Sequence, residues 1–99
     1  MESYNYVIWR RVHRKIFSYY TNAARKYFNT YSFESMKRHI INAENSITFI
    51  EDGLQRRKPT LNRWQGLYMA HAKDWYFAYR IKGDTIEVVD ACHTQNMHN

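Results

Sequence analysis

The sequence predicts an α+β protein in the order β-α-α-β-β-β, with a helical hairpin packed on a mostly antiparallel, curled sheet. Three observations carry this reading. Apolar residues alternate near the N-terminus, then recur every three or four positions through the middle of the chain, then alternate again after Gly66. Lys82-Gly83-Asp84 is a tight-turn signal between two of the later alternating runs. Layered packing of helices on one face of a sheet is the usual way to bury such a set of apolar faces.

The first strand is read over Tyr4 to Arg10, where Tyr4, Tyr6 and Ile8 alternate with Asn5, Val7 and Trp9. From Arg11 to about Phe28, Val12, Ile16, Tyr19, Ala23 and Tyr27 mark the buried stripe of a helix whose other faces carry Arg11, Arg14, Lys15, Arg25 and Lys26. Asn29 to Ser32 breaks that helix. Ser32 can cap a second one, and Glu34 in its first turn suits the positive end of the dipole. Phe33, Met36, Ile40, Ala43, Ile47, Ile50 and Leu54 continue its stripe, and Gly53 is placed to stop it in the left-handed conformation. Gln55 to Arg63 holds the only proline, Pro59, behind Arg56, Arg57 and Lys58, and reads as a basic connecting loop. Gly66 to Ala72, Trp75 to Ile81 and Thr85 to Ala91 then form an antiparallel meander, and His93 to Asn99 is a polar tail.

A chain of 99 residues has material for one core, so residues 1–99 form a single domain. Nine Tyr, five Phe and three Trp make that core aromatic. Fifteen Lys and Arg against nine Asp and Glu leave a formal charge of +6, which favours a polyanionic partner, nucleic acid first among them. Cys92 is the lone cysteine, which excludes an internal disulfide and fits a reducing cytoplasm. No run approaches a membrane span, and Met1 to Arg14 lacks the apolar centre of a signal peptide, so neither membrane insertion nor secretion is expected.

The chain has no glycine-rich dinucleotide motif, P-loop, nucleophile elbow or HExxH helix, so no cofactor is expected. The five histidines are scattered without carboxylate or thiolate partners at ligand spacing, so no metal is expected either. Lys58, Arg63, His71, Asp74, Arg80 and His93 remain, concentrated in the C-terminal half. Cutting an RNA backbone without metal needs a base for the 2′-hydroxyl, an acid for the departing 5′-oxygen and a cation for the phosphorane. His71 and His93 suit the first two roles if a curled sheet brings them to one cleft, and Arg80 suits the third. Asp74 could orient an imidazole, and Trp75 or Tyr68 could stack on a base. The bland alternatives are a surface His71, a solvated sheet-face Arg80 and a solvated basic loop.

LNRWQGLYMAH from Leu61, then DWYFAYRIKGDTIEVV, then a terminal CH, resembles the RelE/ParE superfamily of bacterial toxins, and within it the YafQ branch. The shared pattern is a Trp-x-Gly-x-x-x-x-His strand, an Asp-Trp pair, a Tyr-Arg-Ile strand, a turn and a final histidine. The ending VVDACH is similar to the HigB branch. The resemblance spans nearly the whole chain and implies a ribosome-dependent mRNA endonuclease that uses histidines and an aspartate, here His71, Asp74 and His93, with Trp75 in the matching position. It further implies that Arg11, Arg14, Lys15, Arg56, Arg57 and Lys58 grip RNA, and that an antitoxin, the ribosome and mRNA are partners. The chain departs from the branch in having Lys58-Pro59-Thr60-Leu61 where another histidine is usual, in a His71 to Asp74 spacing shorter by one residue, and in the tail Thr94-Gln95-Asn96. A gyrase-inhibiting ParE-like toxin and a non-catalytic nucleic-acid-binding module are the alternative functions.

Overall fold

A computed structural model describes residues 4–51 and 57–99. It is an α+β protein with two helices and a four-stranded mixed sheet. Strand β1 (Asn5–Ile8) runs into helix α1 (Arg10–Lys26), and the Trp9 amide between them donates to Val88 O at 2.9 Å. Helix α2 (Phe33–Ser46) begins where Ser32 accepts a hydrogen bond from the Ser35 amide. Strands β2 (Tyr68–Ala72), β3 (Trp75–Lys82) and β4 (Thr85–His93) follow. The strand order is β1-β4-β3-β2, with β1 parallel to β4 and the other pairs antiparallel. The parallel pair is possible because both helices lie in the connection between β1 and the meander.

The second helix is shorter than its apolar stripe. It tightens at Ser46 into a 3₁₀ turn over Ile47–Glu51. Ser46 Oγ donates to Ala43 O and Thr48 Oγ1 to Asn45 O, so local side-chain bonds compete with the next α-turn, and Ile47 and Thr48 add branched side chains. The stripe still continues, because a three-residue turn keeps Ile47 and Ile50 on the buried side. The expected stop at Gly53, together with Leu54, Gln55 and Arg56, lies outside the described residues.

Val12, Ile16 and Tyr20 of α1, Met36 and Ala43 of α2, and Ile47 and Ile50 pack on Phe77, Tyr79, Ile86, Val88 and Ala91. The opposite face of the sheet is also covered. Leu61 and Trp64 pack there against Met69, Ala78, Val89 and Cys92. The described part of the basic connector is therefore not an open loop. Arg57 exchanges two backbone hydrogen bonds with Met69, of 3.3 and 3.1 Å, and Asn62–Trp64 forms a 3₁₀ turn that inserts Trp64 into this second core.

One irregularity sets the geometry of everything downstream. Tyr79 pairs with Val88 but Ala78 pairs with Asp90, so β4 carries one extra residue, Val89, in a β-bulge. Asp90 sits beside it with its carboxylate buried. The group accepts from Lys15 Nζ at 2.5 Å, Trp64 Nε1 at 2.7 Å and the Ala91 amide at 2.9 Å, and Arg63 Nε lies 3.6 Å away. Burial pushes its pKa up, but the bonds from Lys15, Trp64 and Ala91, with the Lys15 charge, bring it below the ordinary aspartate value. One carboxylate thus ties α1, the 3₁₀ turn and β4 together.

Replacing Asp90 tests this tie. Asp90→Ala leaves the buried Trp64 Nε1 without its acceptor and should lower stability by about 2 kcal/mol. Asp90→Asn keeps an acceptor and should lose less. Urea denaturation followed by tryptophan fluorescence measures both, and equal stability of Asp90→Ala and wild type would show that the tie contributes nothing.

Candidate functional site

The end of β4 is where polar chemistry and open space coincide. His93 is the last residue of β4 and pairs with Trp75. Its ring stacks on Tyr19 of α1, with centroids 4.1 Å apart and planes 12° from parallel, and meets the edge of Trp75. Only 9% of its surface is exposed. Its Nδ1 accepts the Gln95 amide at 3.2 Å, which caps the short 3₁₀ turn Thr94–Asn96. That bond places the proton of the neutral ring on Nε2. Burial lowers the His93 pKa below the ordinary histidine value, against a smaller upward pull from the Asp74 charge. The imidazole is therefore neutral at pH 7.

On one side of the Tyr19–His93 pair lies a cleft of about 320 Å³ whose lining includes Lys15, Asn22, Arg63, Cys92 and Asn96. Lys15 and Arg63 both lean on Asp90, which fixes where their charges sit, and each side chain remains more than 40% exposed. Two half-exposed cations beside amides are suited to a phosphate. Burial raises the Cys92 thiol pKa, so it stays protonated despite Arg63 and Lys15 nearby.

On the other side lies a cleft of about 330 Å³ lined by Tyr19, Tyr20, Tyr31, His39, Asp74 and Gln95 together with Ala23 and His93. Here the phenols are tied back. Tyr19 Oη donates to Gln95 Oε1 at 3.0 Å, Tyr20 Oη accepts Trp75 Nε1 at 3.1 Å, and Tyr31 Oη bonds His39 Nδ1. Asp74 stands at the mouth because Lys73, at φ 57°, turns the chain between β2 and β3. The Asp74 carbonyl accepts the Thr94 amide at 2.8 Å and so fastens this turn to the residue after His93.

The structure brings together His93, Lys15 and Arg63, with Asp74 in the adjoining cleft. It separates the rest. His71 pairs with Tyr76, which pairs with Cys92, and residues opposite one another across antiparallel strands share a face. His71 stacks on Tyr76, at 4.3 Å, on the face away from the helices, whereas His93 is on the helix face. The expected two-histidine cleft does not form. Arg80 points to that same far face, bonded to Glu87 and stacked on Trp9, and is roughly 17 Å along β3 from the residue that pairs with His93. It cannot hold a phosphate at His93. Trp75, expected to stack on a base, is 2% exposed and belongs to the core, where its ring meets Tyr19 and Tyr20. Nor does His93 lie beyond the last strand. Among the grip residues, Arg57 and Lys58 are exposed beside β2, Arg11 covers Trp9, Arg14 is exposed on α1, and Arg56 lies outside the described residues.

Tyr19, Tyr31, His39, Asn22, Gln95 and Asn96 were not legible as site residues. Tyr19 reads as one more core position of a helix, and only its stacking on a residue 74 positions later gives it a second role. Among the described residues, no three His, Cys, Asp or Glu side chains group as a metal site, and no helix is long and apolar enough to cross a membrane. No protein-family model matches the chain, and no curated protein is similar to it in sequence.

A depressed pKa for His93 has a definite effect on stability. Between the folded value and the unfolded value of about 6.5, the unfolded chain binds more protons than the folded one. Stability is therefore full above about pH 6.5 and falls as pH drops through that window. Proton NMR should show His93 titrating below the ordinary histidine value, and His93→Gln should remove this part of the acid sensitivity. A His93 titrating at or above the normal value would contradict the buried neutral state.

Proposed function

We propose that this chain is a toxin of the RelE/ParE type that cuts messenger RNA on the ribosome by metal-free attack of the 2′-hydroxyl, in the cytoplasm. The observation that carries the proposal is the cleft in which a buried, neutral imidazole stands beside two cations fixed by one carboxylate. The strand order and the two helices between β1 and β2 support it, since two helices on one face of a mostly antiparallel sheet is the architecture that the resemblance implies.

In this reading Lys15 and Arg63 hold the non-bridging oxygens of the scissile phosphate. As the 2′-oxygen to phosphorus bond forms, the hydroxyl proton passes to the His93 imidazole. As the bond from phosphorus to the 5′-oxygen breaks, the same imidazolium returns that proton to the leaving oxygen. The products are a 2′,3′-cyclic phosphate and a 5′-hydroxyl, with no net proton change. One imidazole serves both steps because His71 is on the opposite face. The ribosome supplies the alignment of the message that so small a set of groups cannot.

An antitoxin would find an apolar strip to cover. Phe17, Met36, Ile40 and Ile41 line a groove of about 530 Å³ on the outer side of the helices.

One observation favours a second reading. The His93 nitrogen that would accept the proton is engaged by the Gln95 amide, and with that cap kept the cleft binds RNA and blocks translation without cutting. Cell-free translation with primer extension on a reporter message separates the two. Cuts inside translated codons, absent without ribosomes and reduced at least about a hundredfold in His93→Ala, are the expected result. Arg63→Ala should weaken cutting, whereas Lys37→Ala, which removes a charge from the helical groove, should not. Arrest without cuts would select the binding reading, and neither arrest nor cuts would overturn both.

A further inference from the structure

The geometry points to a guanine-binding pocket in the aromatic cleft formed by Tyr19, Tyr20, Tyr31, His39, Asp74 and Gln95. This deepens the proposed function and rests on its RNA-binding part. The two clefts share one wall, the stacked pair Tyr19 and His93, which appears in the lining of both. A phosphate held by Lys15 and Arg63 on one side leaves its nucleoside to reach around that wall.

What lies on the far side suits a base. The cleft, of about 330 Å³, is large enough for a purine and is built from tyrosine rings, on which bases stack whatever their sequence. Selection must come from polar groups not already engaged. The hydroxyls of Tyr19, Tyr20 and Tyr31 each have a partner within the protein. The Asp74 carboxylate makes no hydrogen bond or ion pair among the described residues, and its backbone is held by the Thr94 amide and by the left-handed turn at Lys73.

A carboxylate only accepts, so it selects a ligand that offers donors side by side. Guanine presents two, N1–H and the exocyclic N2 amine, on its Watson–Crick edge. Adenine and cytosine place an acceptor next to their single amine. Uracil flanks its one N–H with two carbonyl oxygens, which a carboxylate repels. Only guanine makes the bidentate pair without an opposed acceptor.

The test is fluorescence anisotropy with labelled hexauridylate and with the same oligonucleotide carrying one central G, A or C, on the full chain. Wild type should bind the G-containing RNA about tenfold more tightly than the other three. Asp74→Asn, which replaces one acceptor oxygen by a donor amide, should bring the four affinities to one value. Arg63→Ala should weaken all four alike and keep the preference for G. Equal wild-type affinities, or a G preference that survives Asp74→Asn, would overturn the pocket. So would failure to bind any oligonucleotide, and if ribosome-dependent cutting persisted in that case the endonuclease reading would stand without it. A G preference in a protein that never cuts would instead support the pocket and remove the endonuclease.

Discussion

The extra residue in β4 is the constraint on which the candidate site depends. Side chains alternate between the faces of a strand, and a bulge shifts that alternation by one residue for everything after it. Before the bulge, Ile86 and Val88 face the helices; after it, Ala91 and His93 do. With Val89 accommodated in regular pairing instead of a bulge, strict alternation from Val88 would put His93 on the face that carries His71, Tyr76 and Cys92. With the bulge, it meets Tyr19 instead. Which of two quite different environments the imidazole occupies is decided at a position four residues away.

The bulge is held where a buried carboxylate can be satisfied. Asp90 would be costly in the sheet without partners, and it has three hydrogen bonds from three segments far apart in the chain. The same arrangement orients two cations. Lys15 and Arg63 each present part of their charge to Asp90 and part to solvent, so both are located without being buried. A charged pair at this level of exposure adds little to stability, and its consequence is mainly positional. The Trp64 bond, by contrast, closes the second core and binds the segment after Arg57 to the sheet.

Much of the fold was legible because period and punctuation are local. The Ser32 cap, the stripe through Met36 and Ala43, the turn at Gly83 and the alternation from Trp75 onward all correspond to elements of the structure. The misreadings had one local cause and otherwise nonlocal ones. Helix α2 ends early because hydroxyls of Ser46 and Thr48 take carbonyls that the next turn would use. The connector read over Gln55 to Arg63 looks like a solvated basic loop until the adjoining Trp64 finds Asp90 across the sheet. Of the candidate site, His93, Lys15, Arg63 and Asp74 were visible as residue types, but nothing in spacing separates them from His71 and Arg80. That separation follows from the bulge, and VVDAC carries no glycine or other local mark of one.

Gln95 gives the two clefts a physical connection. Its backbone amide donates to His93 Nδ1, and its side-chain oxygen accepts from Tyr19, the residue on which His93 stacks. The three groups form a closed set in which each fixes another. A proton arriving on His93 Nδ1 would face the Gln95 N–H, and both cannot point into the same space. The turn over Thr94–Asn96 would then have to release its cap, and the acceptor held for Tyr19 would be released with it. Protonation of His93 and the shape of the aromatic cleft are therefore linked through a single residue. An exposed polar tail is easily read as frayed, but here its Gln95 holds both walls of the candidate site in register.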